Sequence, residues 1–189
     1  MEIKNENKFK RYFKKFGALS LACVFAVAIA LTIAFSIPRG AEEGEPVTTT
    51  PISFVNPMNN AVVVKDYADN KLQHNESLKR WEIHLAVDLS AEDMTVFSVS
   101  EGTVASVTTD ALEGSVVTIN HKDGFVSVYS SLDSELKVKE GDKVEQGQEI
   151  GKATNSAGNE AKEGGHLHFT LYKDGQEVDP NNYLDLQNK

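Results

Sequence analysis

Two short histidine motifs, far apart in the chain, carry side chains that could hold a metal ion. In the first motif His84 precedes Asp88 by four residues, and in the second His166 precedes His168 by two. Side chains two apart share a face of an extended strand. Two such strands side by side would therefore bring two or three imidazoles and one carboxylate together. Two His and one Asp with an open fourth position form the ligand set of a catalytic zinc centre.

The first motif lies in residues 83–89, where apolar and other side chains alternate. This alternation predicts one continuous strand, on which Ala86 would share a face with the two ligands beside it. Trp81, just before this stretch, is expected to cover the core beside the metal strand. His74 falls in a polar segment and is expected to lie in a surface loop.

The surrounding sequence predicts an antiparallel, nearly all-β domain. Strands are expected at residues 96–99, 102–107, 115–120, 125–129 and 166–172, with two short turns joined by β segments over 138–151. The 138–151 pattern also occurs in lipoyl and biotinyl carrier domains, but those carriers present a modified Lys at a hairpin tip, which nothing here matches. Residues 160–165 are Gly-rich and predict an irregular, mobile loop before the last long strand.

The N-terminal part of the chain predicts a membrane anchor. Residues 16–37 carry no charge over 22 residues, which as a helix is long enough to span a bilayer core. The tail at 1–15 has six Lys and Arg against two Glu, so the positive-inside rule predicts that it is cytoplasmic and that the following residues are outside. A cleaved signal peptide, with a cleavage site at 34–36, is the alternative.

The region after this segment differs sharply in composition. Residues 38–51 lack apolar periodicity and predict a flexible linker, and 52–189 predict one extracytoplasmic globular domain. Residues 38–189 carry 13 Lys and Arg against 26 Asp and Glu, which argues against nucleic acid or anionic lipid as a ligand. Cys23 is the only cysteine, so the outer domain has no intrachain disulfide.

Four motifs together resemble the lysostaphin-type (LytM-like) zinc metalloendopeptidases. They are His84-x-x-x-Asp88, Asn120-His121-x-Asp123-Gly124, the Val-Lys-Glu-Gly-Asp-Lys-Val-Glu-Gln-Gly-Gln stretch at 138–148, and Gly-His-Leu-His-Phe at 165–169. The resemblance implies an antiparallel β-sheet domain of lipoyl-like hybrid sandwich architecture that cuts peptide cross-links of bacterial cell walls with Zn²⁺. It implies that His84, Asp88 and His168 are the metal ligands and that His166 is a catalytic imidazole.

The chain departs from that pattern at two positions. The family has a second catalytic His where this chain has Ser131, and a Gly where it has Ala86. A serine hydroxyl cannot accept a proton near neutral pH, and loss of one general acid–base group costs about 10²–10⁴-fold in rate. His121 is the one nearby histidine that could substitute. Both departures predict a site that holds zinc but handles peptide poorly.

Residues 54–84 carry a second, narrower resemblance, to the stage II sporulation Q proteins of spore-forming bacteria. The stretch from Asn75 to His84, Asn-Glu-Ser-Leu-Lys-Arg-Trp-Glu-Ile-His, is typical of them, as is a basic tail followed by one span, a spacer and a lysostaphin-type domain. The resemblance implies a forespore protein whose domain lies between two membranes and binds a ring-forming partner in the mother-cell membrane.

Two functions follow as hypotheses. The first is a membrane-anchored zinc-binding domain with impaired peptidase chemistry that acts by binding a protein partner. The second is an active zinc metalloendopeptidase that cuts peptidoglycan peptides, with His166 alone supporting the chemistry. A regulator of other wall hydrolases is a further alternative. Ser131 is the residue that separates the first two hypotheses.

Overall fold

The computed structural model describes residues 52–186. The predicted tail (1–15), transmembrane helix (16–37) and linker (38–51) lie outside the described residues, as does Cys23. Among residues 52–186, no helix has the length and apolar character needed to cross a bilayer.

The described residues form twelve strands and two single-turn 3-10 helices. The strands are β1 Val62–Lys65, β2 Ala68–Asn75, β3 Arg80–His84, β4 Val87–Ser90, β5 Thr95–Phe97, β6 Gly102–Asp110, β7 Gly114–Asn120, β8 Phe125–Leu132, β9 Lys143–Val144, β10 Glu149–Lys152, β11 Leu167–Lys173 and β12 Gln176–Val178. The short helices are Lys122–Gly124 and Pro180–Asn182. The prediction of an all-β domain is therefore confirmed.

Eight of these strands form one antiparallel sheet. Its order is β1-β4-β11-β8-β7-β6-β9, and β12 pairs with β11 beside this path. Two smaller antiparallel sheets consist of β10 with β5 and of β2 with β3. The large sheet places β4 and β11, which carry the two halves of the predicted metal site, next to each other.

An aromatic pair holds β8 and β11 together beneath the site. Tyr129 and Phe169 are cross-strand partners with ring centroids 5.3 Å apart, and both are fully buried. The Tyr129 hydroxyl accepts a hydrogen bond from the backbone N–H of Val99 at 2.9 Å. Burial raises the pKa of Tyr129 to about 12, so the phenol stays neutral and acts as a core side chain with one satisfied polar atom.

The predicted continuous strand over 83–89 is wrong, because the chain changes sheets in the middle of it. β3 ends at His84, which pairs with Ala68 of the small β2–β3 sheet. β4 begins at Val87 and belongs to the large sheet. Residues 85 and 86 make the crossing, so the two predicted ligands of this motif come from different sheets.

The β2–β3 hairpin also corrects two smaller expectations. His74 lies in β2 rather than in a loop, and it pairs with Trp81 of β3. Trp81 is 65% exposed and does not cover the core. Leu72 and Ile83 of the same hairpin are also largely exposed, so one face of this hairpin remains in solvent.

Candidate metal centre

Three strands bring the predicted ligands to one place. His168 of β11 and Asp88 of β4 are cross-strand partners, and their Nδ1 and Oδ1 atoms are 2.8 Å apart. His84, at the end of β3, places its Nε2 3.4 Å from the same Asp88 oxygen. The three predicted zinc ligands therefore converge in the structure. Their binding of zinc stays a prediction.

The hydrogen bonds of His84 leave its second ring nitrogen free for a metal. Its Nδ1 lies 3.0 Å from the carbonyl of Asp66, and a carbonyl can only accept, so Nδ1 carries the proton. Its Nε2 is the ring nitrogen that faces the cluster, and it is buried with no hydrogen-bond partner in the described part of the chain. Fixing one imidazole nitrogen on a backbone carbonyl is the usual way in which proteins orient a metal-binding His.

Asp88, like His84, has a buried polar atom without a hydrogen-bond partner in the described part of the chain. It is fully buried, and its Oδ2 has no hydrogen-bond partner among the described residues. Burial acts to raise the pKa of this carboxyl, but the hydrogen bond from His168 and the proximity of His84 outweigh burial and lower it. Two adjacent polar atoms without partners are costly in a protein interior, and one cation between them would satisfy both.

Glu160 is a fourth member of this cluster that the sequence did not reveal. Its Oε2 lies 2.9 Å from His168 Nδ1 and its Oε1 lies 3.9 Å from His84 Nε2. One ligand atom from each of these two residues, from Asp88 and from Glu160 can be chosen so that all four lie within 4.8 Å of one another. Two imidazoles and two carboxylates are a donor set that suits Zn²⁺.

Residues 160–165 form the irregular loop that the sequence predicts, and Glu160 is its buried residue. Its side chain is buried and accepts hydrogen bonds from the ammonium of Lys65 at 3.0 Å and from the ring of His166 at 3.4 Å. Burial acts to raise the pKa of Glu160, but the hydrogen bonds from His166, His168 and Lys65 lower it strongly. A lone Glu in a Gly-rich loop has no fixed spacing to the ligands, so no sequence pattern indicates this contact.

The His168 ring lies beside two carboxylates, which set the direction of its pKa shift. Burial acts to lower the pKa of His168, but its hydrogen bonds to Asp88 and Glu160 outweigh this and raise the pKa to about 10. An imidazolium then neutralises part of the charge of the two carboxylates. A metal ligand must be neutral imidazole, so an ion at this point would replace the proton.

The predicted catalytic imidazole faces Glu160. His166 is 1% exposed, its Nδ1 contacts the carbonyl of Gly164 at 2.9 Å, and its Nε2 contacts Glu160. Burial acts to lower the pKa of His166, while the hydrogen bond with Glu160 and the nearby charge of Asp88 raise it overall. Both ring nitrogens are thus engaged with other protein groups.

Ser131 makes no proton-handling contact with His166. It is fully buried on β8 with a φ of 62°, and its hydroxyl donates to the carbonyl of Thr154 at 2.8 Å. The same carbonyl accepts from the backbone N–H of His166 at 3.3 Å. The Ser131 hydroxyl therefore stabilises the backbone beside His166 and makes no hydrogen bond with the imidazole ring.

His121 does not substitute for the missing imidazole. One of its ring nitrogens lies 2.8 Å from the carbonyl of Glu101 and the other lies 2.7 Å from the hydroxyl of Ser127. Neither partner belongs to the metal cluster. Burial lowers the pKa of His121 more than the contact with Glu101 raises it. Its contacts are those of a structural residue of the β7–β8 connection.

A cleft of about 490 Å³ opens onto the cluster. His84, Glu160 and His168 line it together with Ala86. Ala86 itself is 1% exposed and stands at the position where the resemblance implies Gly.

Comparison with known proteins agrees with this geometry. The sequence model described as Peptidase family M23 matches residues 82–180, just over half of the chain. Stage II sporulation protein Q of Bacillus subtilis (strain 168) is 33% identical over 153 residues, which are 76% of this chain and 53% of that relative. The chain thus spans about half the length of this curated relative.

Solved structures are similar over most of the domain. A chain in the structure of the SpoIIQ–SpoIIIAH pore-forming complex is 31% identical, with a TM-score of 0.62, over 71% of this chain and 92% of that one. The catalytic domain of the prophage-encoded M23 protein EnpA from Enterococcus faecalis is 24% identical, with a TM-score of 0.55, over 69% and 96%. The second likeness shows the fold alone. The chain belongs to peptidase family M23, and within that family it is similar to the stage II sporulation Q proteins.

Proposed function

We propose that this protein is a membrane-anchored M23-type domain that retains a zinc site but works by binding another protein. The proposal rests on the hydrogen bonds of Ser131 and His166, the two positions at which the resemblance implies catalytic histidines. Ser131 replaces an imidazole and donates to a backbone carbonyl, and the ring of His166 is engaged with Gly164 and Glu160. Hydrolysis of a peptide needs a free acid–base group at this place.

Zinc fits the residues that are present. His84, Asp88 and His168 would hold the ion, since they converge and two of their buried atoms lack partners among residues 52–186. When bound in a site with an open position, zinc polarises a carbonyl and lowers the pKa of a bound water. In the proposed function the ion has a structural role, joining the β3 end to the large sheet.

The ligand assignment is tested by metal analysis of purified protein. We expect about one zinc per chain in the wild type, and loss of zinc in His168→Ala and in Asp88→Asn, because each removes one donor. Glu92→Gln, a change at an exposed acid outside the cluster, is the control and should retain zinc. Full zinc content in either ligand variant would overturn the assignment.

The proposed partner is a SpoIIIAH-type protein anchored in the mother-cell membrane. Support comes from the similarity of this domain to a chain in the structure of the SpoIIQ–SpoIIIAH complex. The similarity covers 92% of that chain. In this proposal residues 16–37 span the forespore membrane with the tail in the cytoplasm, and the M23 domain lies in the intermembrane space. Sheet edges and exposed apolar side chains of the domain would supply the contact surface.

The partner proposal is tested by two measurements on one preparation of the full chain in detergent micelles. The first is binding to the SpoIIIAH homologue of the same organism, immobilised on a sensor surface. The second is dye release from purified, dye-labelled cell walls with zinc present. Saturable binding with no wall hydrolysis is expected. Absence of binding at micromolar protein, in material with a folded circular-dichroism spectrum, would refute the partner.

The competing function is a zinc endopeptidase acting on cell-wall peptides. The convergence of His84, Asp88 and His168 favours it, since this is the ligand set that the resemblance to the zinc metalloendopeptidases implies. Robust dye release that disappears in His166→Ala would establish this function in place of the first.

A further inference from the structure

We propose that Glu160 is the fourth ligand of the metal centre and closes it, so that no coordination position of the ion is left open for water or a peptide carbonyl. The inference deepens the proposed function and rests on it, because a closed site is compatible with a binding protein and incompatible with a zinc peptidase. Structural zinc sites have four protein ligands, whereas catalytic sites keep one position open. Glu160 would therefore change the class of the site.

Distances place Glu160, like Asp88, within reach of an ion held by the two imidazoles. Bonds from zinc to nitrogen and oxygen are about 2.0–2.2 Å, so two atoms on one ion are at most about 4.4 Å apart. Oε2 of Glu160 lies 2.9 Å from the ring nitrogen of His168, and Oε1 of Glu160 lies 3.9 Å from that of His84. The corresponding distances from Asp88 are 2.8 and 3.4 Å. Both carboxylates meet the limit at both imidazoles.

The loop around Glu160 is fastened to its surroundings at several points. The backbone N–H groups of Gly158 and Asn159 donate to the carbonyls of Ala111 and Leu112, both at 3.1 Å. A Cβ at position 158 would lie 2.5 Å from the Ala111 carbonyl oxygen, so only glycine allows this approach.

On its other side the loop is tied to the β2–β3 turn, where the backbone N–H of Lys162 donates to the hydroxyl of Ser77 at 2.9 Å. These contacts hold the Glu160 side chain inward.

A simpler explanation is that Glu160 is only the counter-ion of Lys65, and two observations argue against it. Lys65 contacts Oε1, while Oε2 faces His168 and His166, so the ion pair uses one oxygen of the two. The pair also leaves the buried Nε2 of His84 and Oδ2 of Asp88 without partners in the described residues. A cation among the four side chains satisfies these atoms, and the Lys65 ion pair does not.

Cobalt(II) substitution tests the number of ligands without relying on activity. The full chain in detergent micelles is loaded with Co²⁺, and its visible spectrum is recorded with and without acetohydroxamate, a small chelating anion that binds open metal positions. The wild-type spectrum should not respond. Glu160→Gln should respond, and its affinity for the metal, measured by chelator competition, should fall about 10- to 100-fold or more.

The matched control is Glu163→Gln, on the same loop and three residues away, which should behave as the wild type. Glu160→Gln leaves the buried Lys65 ammonium without its anion and could prevent folding. The double variant Lys65→Met with Glu160→Gln removes both charges and provides a folded protein for the same measurement. It should show the same opened spectrum.

Two results would overturn the inference. One is a wild-type spectrum that shifts with acetohydroxamate as strongly as that of the Glu160 variants. The other is unchanged metal affinity in both Glu160 variants. Partner binding is measured on the same samples, so its absence with a closed metal site would refute the proposed function and leave this inference standing.

Discussion

At the scale of single residues, the centre is defined by what each polar atom contacts. Asp88 and Glu160 are both buried carboxylates beside His168, yet only Glu160 also engages Lys65 and His166. That one side chain therefore links the predicted metal ligands, the imidazole of His166 and a buried lysine. Changes at Glu160 should affect metal binding and the freedom of His166 together.

Restoring the missing imidazole should require two changes. Ser131→His alone should leave wall hydrolysis near the wild-type level, because Glu160 still engages His166 and faces the ligands. Ser131→His combined with Glu160→Gln should raise dye release above either single variant. Histidine tolerates the positive φ of 62° at this position better than bulky or β-branched residues do. Full activity from Ser131→His alone would show that Glu160 does not obstruct the site.

His121 offers a prediction for the pH dependence of stability. Burial holds its pKa below the ordinary 6.5, so around that pH the unfolded chain binds more protons than the folded one. Its contribution to stability is complete above pH 6.5 and is lost as the pH falls through the folded pKa.

When the pH falls from 7.5 to 5.5, the free energy of unfolding of the His121→Gln variant should therefore decrease less than that of the wild type. Urea titrations at the two pH values measure this difference. The neighbouring ion pair of Lys122 with Glu101 is common to both proteins. Equal losses would contradict the prediction.

At the scale of elements, the β2–β3 hairpin stands apart from the large sheet and presents apolar side chains to solvent. Trp81 and Ile83 are two apart on β3, and with Leu72 of β2 they are 65%, 48% and 56% exposed. Exposed apolar groups gathered on one element are typical of a protein contact surface.

Trp81→Ala tests whether this hairpin contacts the partner. Because the ring is mostly in solvent, the change in the free energy of unfolding should be within about 0.5 kcal/mol. Tryptophan is frequent among the residues that dominate interface energy, so affinity for the SpoIIIAH homologue should fall at least tenfold. Leu112→Ala, which changes an apolar side chain 62% exposed on a different turn, is the control. An unaltered affinity would place the interface elsewhere.

The sequence predicted the strands whose side chains alternate cleanly, and it missed those whose burial depends on distant partners. β6, β7, β8 and β11 agree with the expected positions to within a few residues. β2 is rich in polar and charged residues and gave no periodic signal. The break between β3 and β4 depends on which sheet each half joins, so no local sequence pattern indicates it. Glu160 reaches the site because of the path of a loop, and no local pattern indicates that either.

At the scale of the whole domain, the cluster joins parts of the fold that are separate in sequence. His84 comes from the small β2–β3 sheet, Asp88 and His168 from the large sheet, and Glu160 from a loop. A ligand that binds only the folded state stabilises it by an amount set by its concentration relative to its dissociation constant. Metal at this point would therefore stabilise the domain as a whole.

Thermal unfolding with and without zinc measures this linkage. Free zinc at 100 times its dissociation constant should add about 2.7 kcal/mol to the free energy of unfolding. The melting temperature of the chelator-treated protein should accordingly be several degrees lower, and zinc should restore it. Asp88→Asn should show no such zinc dependence. An equal shift in that variant would mean that zinc acts at another place.

Enclosure of the centre also governs how fast an ion could come and go. Three of the four clustered side chains are buried, and the loop that carries Glu160 is pinned by Ala111, Leu112 and Ser77. Exchange would then wait for that loop to open, which is slower than the dissociation of one donor. The metal found in freshly isolated protein would consequently be the one that was available in the compartment where the chain first folded.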